Sequence, residues 1–159
     1  MSSRKRFALI LVTLFACVGC DQQTKSLATM HLRGNEPRSF FADTVRLDYT
    51  ENTGSFLGLG ASLPVEWRTA IFSVGCTLGI TALLIYALVM PRSTALQVLA
   101  LALICAGGIG NLLDRWMFGH VRDFLNVGVG PIRTGIFNVA DATLMAGSLL
   151  AFLLYRRRR

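Results

Sequence analysis

The sequence predicts a helical membrane fold with four transmembrane helices, both termini inside, and a small β element on the outer surface. Three observations predict it. Apolar residues make up 53% of the 159-residue chain against 16% charged, and mean hydropathy is +0.52. Four apolar runs approach the roughly 20 residues that a helix needs to cross a bilayer. The basic residues are sorted by side, and that sorting sets orientation. Four spans leave no room for a separate soluble domain, so residues 1–159 read as one membrane domain.

The first run extends from Phe7 to about Leu27, with Asp21 to Lys25 interrupting its far end. The start of the chain imitates a signal peptide, and Cys17-Val18-Gly19-Cys20 is similar to a lipoprotein cleavage site. Cys17 fits the −3 position poorly, and cleavage would remove the span that makes the count even, so an uncleaved first span is expected. The Cys17–Cys20 spacing lacks the βαβ setting of a redox motif, and all four cysteines read as small apolar residues. Outer residues 28–66 follow. Within them Thr44 to Thr50 alternates apolar and polar, the strand period. Asn52 and Gly54 mark a turn before the apolar run Phe56-Leu57-Gly58-Leu59-Gly60. Spans two and three run from about Thr69 to Met90 and from Thr94 to Leu113, and Gly107, Gly108 and Gly110 permit close helix approach in the latter. A second outer segment, 114–135, carries the strand candidate His120 to Val127, ended by Gly128 and the Gly130-Pro131 turn. Span four runs from Ile136 to Tyr155.

Orientation follows from charge. Arg4, Lys5, Arg6, Arg92 and Arg156 to Arg159 border span ends on one face, which has no acid. The other eight basic residues and all nine acids fall on the opposite side. Positive residues near span ends stay cytoplasmic, which places both termini inside. The +7 net charge is therefore a topology signal, and no aromatic-interleaved basic patch suggests nucleic acid.

Asp141 lies five residues into the fourth apolar run. A carboxylate near a membrane helix centre costs roughly 2.5–3.5 kcal/mol, less near an end, so an acid there points to function. Asp114 and Asp123 flank the end of the third run, and Asn111 and Asn138 sit three residues before Asp114 and Asp141. No zinc-type His/Cys set and no nucleophilic serine motif is present, and His31 and His120 read as surface imidazoles. Two neighbouring carboxylates share a proton, so one activates a water while the other donates to a carbonyl oxygen, which is aspartic peptide hydrolysis. Spacing alone leaves this open against an ion-pair network in which Asp114 pairs with Arg115 or Arg122, and Asp141 with Arg115.

Five motifs in order are similar to those of the lipoprotein signal peptidase (signal peptidase II) family: Asp21-Gln22-Gln23-Thr24-Lys25, Glu51-Asn52-Thr53-Gly54-Ser55-Phe56, Gly107 to Arg115, Gly119 to Phe124, and Phe137-Asn138-Val139-Ala140-Asp141. The resemblance spans almost the whole chain. It implies four spans, a small periplasmic sheet, a short mobile surface helix at Gly54 to Gly60, and an active site on the periplasmic side of the bacterial inner membrane. It implies an aspartic endopeptidase that removes signal peptides from diacylglyceryl-modified prolipoproteins, cutting before the lipidated cysteine. The catalytic pair would be Asp123 and Asp141. Asn52, Asn111 and Asn138 would contact that pair or substrate, Asp114 and Arg115 would support it, and Asp21 and Lys25 would buttress the site. Gly54 and Ala140 fall within the same motifs. No cofactor and no metal are implied, and the partners are lipidated prolipoproteins and membrane lipids, met by a monomer.

Two departures stand out. Only Ser55 separates Asn-x-Gly from Phe56, and Arg122 replaces an apolar residue before Asp123. A cation beside Asp123 is expected to favour its ionised form. The rival readings are a non-cutting relative that binds lipoproteins, and a small proton or ion carrier that uses Asp141. The presence of both Asp123 and Asp141 argues against the first, and the lack of acids within spans two and three against the second.

Overall fold

A computed structural model describes residues 1–54, 64, 67 and 70–156. Helix α1 runs Ser3–Leu32, followed by strands β1 (Arg38–Phe40) and β2 (Val45–Asn52). A π-helical stretch, Ala70–Gly75, leads into α2 (Cys76–Val89), and α3 spans Ala95–Phe118. Strands β3 (Val121–Val129) and β4 (Ile132–Arg133) precede α4 (Val139–Arg156). Three helices, α1, α3 and α4, are long and apolar enough to cross a membrane, and the apolar helix Ser73–Val89 is shorter. The expected span two is therefore a composite of π-helix and a 14-residue α-helix. The surface helix expected at Gly54 to Gly60 lies, beyond Gly54, outside the described residues.

Local chemistry sets the helix ends. Ser2 caps α1 by accepting from the Lys5 N–H. Thr94 and Gln97 form a capping box that starts α3, and Gly119, at φ 77°, ends it in the left-handed region that glycine adopts without strain. The Arg6 guanidinium caps α2 by donating to the Leu88 carbonyl at 2.6 Å. Asp21 to Lys25 does not interrupt α1, because Asp21 and Lys25 are buried within it and paired one turn apart at 2.9 Å.

The helices pack at two apolar levels separated by a polar one. Ile10, Ala87, Val98 and Ala102 knit α1, α2 and α3 at the end where the chain termini lie. Ala28, Leu32 and Phe124 form the second cluster, between α1 and the sheet. Asp21, Lys25, Asp114, Asn138 and Asp141 lie buried between them. Helices α3 and α4 meet through small residues: a Cβ on Gly147 would stand 2.8 Å from the Ala100 carbonyl oxygen, and one on Gly107 would strike the Ala140 carbonyl. Phe15 is 84% exposed on α1, as a lipid-facing side chain would be.

The sheet is antiparallel in the order β1-β2-β3-β4. The two expected strands exist, each running about two residues further than the alternation showed. The two short outer strands were not expected. β2 and β3 pair Leu47 with Leu125 and then Thr50 with Asp123, so Asp48 and Tyr49 together oppose Phe124. That bulge shifts the register by one residue, and a one-residue shift moves every later side chain to the other face.

Candidate active site

The site forms where α1, α3, α4 and the sheet converge. Asn138 precedes the first turn of α4. Its side-chain oxygen accepts from the Asp141 N–H at 2.9 Å, and the Asp141 carboxylate accepts from the Asn138 N–H at 3.2 Å. This is a reciprocal cap, with Asp141 three residues into the helix. The costly acid therefore sits at a helix N-terminus, where backbone N–H groups favour negative charge. Asp21 adds to the same cap from α1 by accepting from the Ala140 N–H at 2.8 Å. Ala140 is 1% exposed, and its methyl packs against Gly110.

Asn138 is also the bridge between the two carboxylates. Its amide donates to Asp123 Oδ1 at 2.6 Å and to Asn111 Oδ1 at 3.1 Å. Asn111 in turn donates to Asp141 Oδ1 at 2.8 Å. The orientation of Asn111 is set by Lys25, whose Nζ donates to Asn111 Oδ1 at 2.9 Å, which turns the amide NH₂ toward Asp141. Asp123 receives a second donor, Asn52 Nδ2, at 3.0 Å. Asn52 reaches it because the β2 bulge puts Thr50 across from Asp123 and Asn52 across from Val121, on Asp123's face.

Asp123 is 2% exposed. Burial pushes its carboxyl up to about 6; the Asn52 and Asn138 amides oppose that shift and the charge of Asp141 reinforces it. The expected influence of Arg122 is overturned. Successive strand residues point to opposite faces, and the Arg122 guanidinium turns away, donating to Asp114 Oδ1 at 2.8 Å and to Gln22 Oε1 at 3.0 Å.

Asp114 anchors the supporting layer. Fully buried, it accepts from the Arg122 guanidinium and backbone N–H and from Gln22, and Lys25 lies 3.5 Å away. Of the two arginines that spacing offered as its partner, Arg122 is the one that pairs with it. Arg115 instead donates to the Gly54 carbonyl at 2.9 Å and to the Asn111 carbonyl. The Gly54 N–H donates to Asn52 Oδ1, so the end of β2 is tied both to α3 and to Asp123. Every expected site residue thus falls in one connected set. Gln22, within the first of the five motifs, belongs to it too, since its amide donates to Asp21, Asp114 and the Gly110 carbonyl. Its i, i+3 spacing with Lys25 was the available signal. Among the described residues no group of three or more His, Cys, Asp or Glu side chains could hold a metal ion.

A bundle of apolar helices that buries two amide-bridged aspartates under a sheet defines a multi-pass membrane protein with a buried, carboxylate-bearing polar site. The chain belongs to the signal peptidase (SPase) II family, whose sequence pattern it matches over residues 13–156. The lipoprotein signal peptidase of Sphingopyxis alaskensis is 39% identical over 160 residues, covering 94% of this chain and 87% of that protein. That of a Sulfurihydrogenibium species is 35% identical over 162 residues, covering 98% and 97%. That of Syntrophus aciditrophicus is 33% identical over 147 residues, covering 92% and 91%. A bacterial membrane enzyme solved in meso at 2.3 Å shares the fold, with a TM-score of 0.82 at 22% identity over 93% of this chain and 87% of that one.

Proposed function

We propose that this chain is an aspartic endopeptidase that cuts diacylglyceryl-modified prolipoproteins just before the lipidated cysteine, with Asp123 and Asp141 as the catalytic pair. The observation that carries the reading is the Asn138 bridge, in which one buried residue donates to both carboxylates, to Asp123 through its side-chain amide and to Asp141 through its backbone N–H. Asp123, pushed up to about 6 by burial, is the member assigned the proton. Asp141, held by N–H donors at the start of α4, is assigned the base. The ionised carboxylate takes a proton from a water that attacks the scissile carbonyl carbon. The protonated one donates to the carbonyl oxygen as it gains charge, and proton return to the amine releases the two peptides. The chemistry needs no metal or organic cofactor.

The family resemblance and the names of the relatives support the substrate class. The charge asymmetry supports four spans with both termini inside, span two being formed by the 6-residue π-helix continuing into the 14 residues of α2. The site then faces the periplasmic side of a bacterial inner membrane, and the chain acts as one compact membrane unit.

One observation favours a second reading. Asp141 completes the cap of α4 and could be retained for that alone. Asp141→Asn separates the two, because asparagine keeps an oxygen for the Asn138 N–H but cannot exchange a proton. Incubating each enzyme form with a lipidated prolipoprotein peptide tests the proposal: the variant should stay folded and leave the peptide whole. Cleavage at the wild-type rate would assign Asp141 to the cap.

A further inference from the structure

A second concave site lies on the sheet side of α1, apart from the aspartate pair. Ala28 and Leu32 on α1, Leu47 on β2 and Phe124 on β3 line a trough of about 310 Å³, within the range of roughly 300–1,000 Å³ that takes small molecules. Two cationic or potentially cationic groups stand on its lining, His31 in the last turn of α1 and Arg38 on β1. Arg38 pairs across from Leu47, so its side chain shares that residue's face and the guanidinium rises from an apolar floor. Neither side chain has an ion-pair or hydrogen-bond partner among the described residues. The neighbouring Arg33, by contrast, is paired with Glu51 at 2.9 Å.

An apolar floor with an unpaired cation at its rim fits an amphiphile with an anionic head. The trough opens beside the outer end of a helix long enough to span the bilayer, where phospholipid is the surrounding solvent. We propose that it holds one anionic phospholipid, with the phosphate on Arg38 and His31 and an acyl chain over Ala28, Leu32 and Phe124. The diacylglyceryl group of a lipoprotein carries no anionic charge for Arg38 to pair with, which distinguishes the occupant from the substrate.

The test uses the whole protein in nanodiscs of equal parts DOPG and DOPC, extracted into mild detergent and weighed by native mass spectrometry. Wild type should retain one DOPG in preference to DOPC. Arg38→Gln with His31→Gln should cut that retention about fivefold or more, as loss of one near-surface cation and a neighbouring hydrogen-bond donor implies. Arg33→Gln should leave it unchanged. All three positions are exposed side chains, so unchanged elution and helical signal are expected and are checked alongside. Equal retention of DOPC and DOPG, undiminished retention by the double variant, or displacement of DOPG by a diacylglyceryl peptide would each overturn the proposal.

Discussion

At the scale of single residues, protonation carries the account. Asp123 has its folded pKa raised to about 6 against an unfolded value of about 3.9. Folding therefore favours its neutral form. That contribution to stability is fully present below about pH 4 and is lost as pH rises through 6. If Asp123 donates the catalytic proton, turnover should fall on the alkaline side with an apparent pKa near 6, a value belonging to the pair. Asn52→Ala removes a bond that favours the ionised form, so the limb should move to higher pH in the residual turnover. A limb that stays in place or moves down would refute this role for Asn52. Asp114→Asn should act differently. It leaves Arg122 and Lys25 buried with reduced compensation, a change that costs roughly 3–5 kcal/mol when a buried ion pair is broken. The expected signature is a lower unfolding temperature in detergent, with the pH limb of any remaining turnover unmoved.

At the scale of elements, close packing holds the site together. Gly110 on α3 faces Asp21 and Ala140, and a Cβ there would stand 2.6 Å from Asp21 Oδ2. Gly110→Ala should push Asp21 off the start of α4 and lower turnover and thermal stability together, whereas Gly19→Ala, in open space, should do neither. Thermal scans beside a cleavage assay would check both. The same scale shows what the sequence could and could not convey. Apolar runs, the Asn and Asp residues three apart, and the two alternating strands were all legible, because they are local patterns. The β2 bulge was not, since Asp48 and Tyr49 follow the same alternation with or without it. Its effect, bringing Asn52 to Asp123, is a pairing between distant segments. Arg122 departs from expectation for a related reason: adjacency in sequence suggests contact with Asp123, yet strand geometry sends neighbours to opposite faces and gives Arg122 to Asp114. β1 and β4, at three and two residues, are too short to show a period. The β1–β2 turn holds Phe41, Ala42 and Asp43 at positive φ without glycine, a conformation that no propensity rule marks. Asp43 binds it through Arg46 and Ser39, whose hydrogen bonds hold its carboxyl well below the usual range.

At the scale of the whole molecule, two apolar levels enclose a polar one, and the polar level is where the chemistry is proposed. Topology follows from the same arrangement. A reporter fused after Arg159 and another placed in the exposed turn at Gly34 to Glu36 should report opposite compartments, and agreement between them would end the four-span assignment. The central claim is that Asp123 and Asp141 cut a lipidated prolipoprotein as a pair. The direct measurement is mass-resolved cleavage of such a peptide by wild type, Asp123→Asn and Asp141→Asn, all confirmed as folded in detergent. Wild type should release a peptide ending just before the lipidated cysteine, and each variant should be slower by about 10³-fold or more. Turnover retained by either folded variant, or a wild-type cut at another bond, would contradict the account.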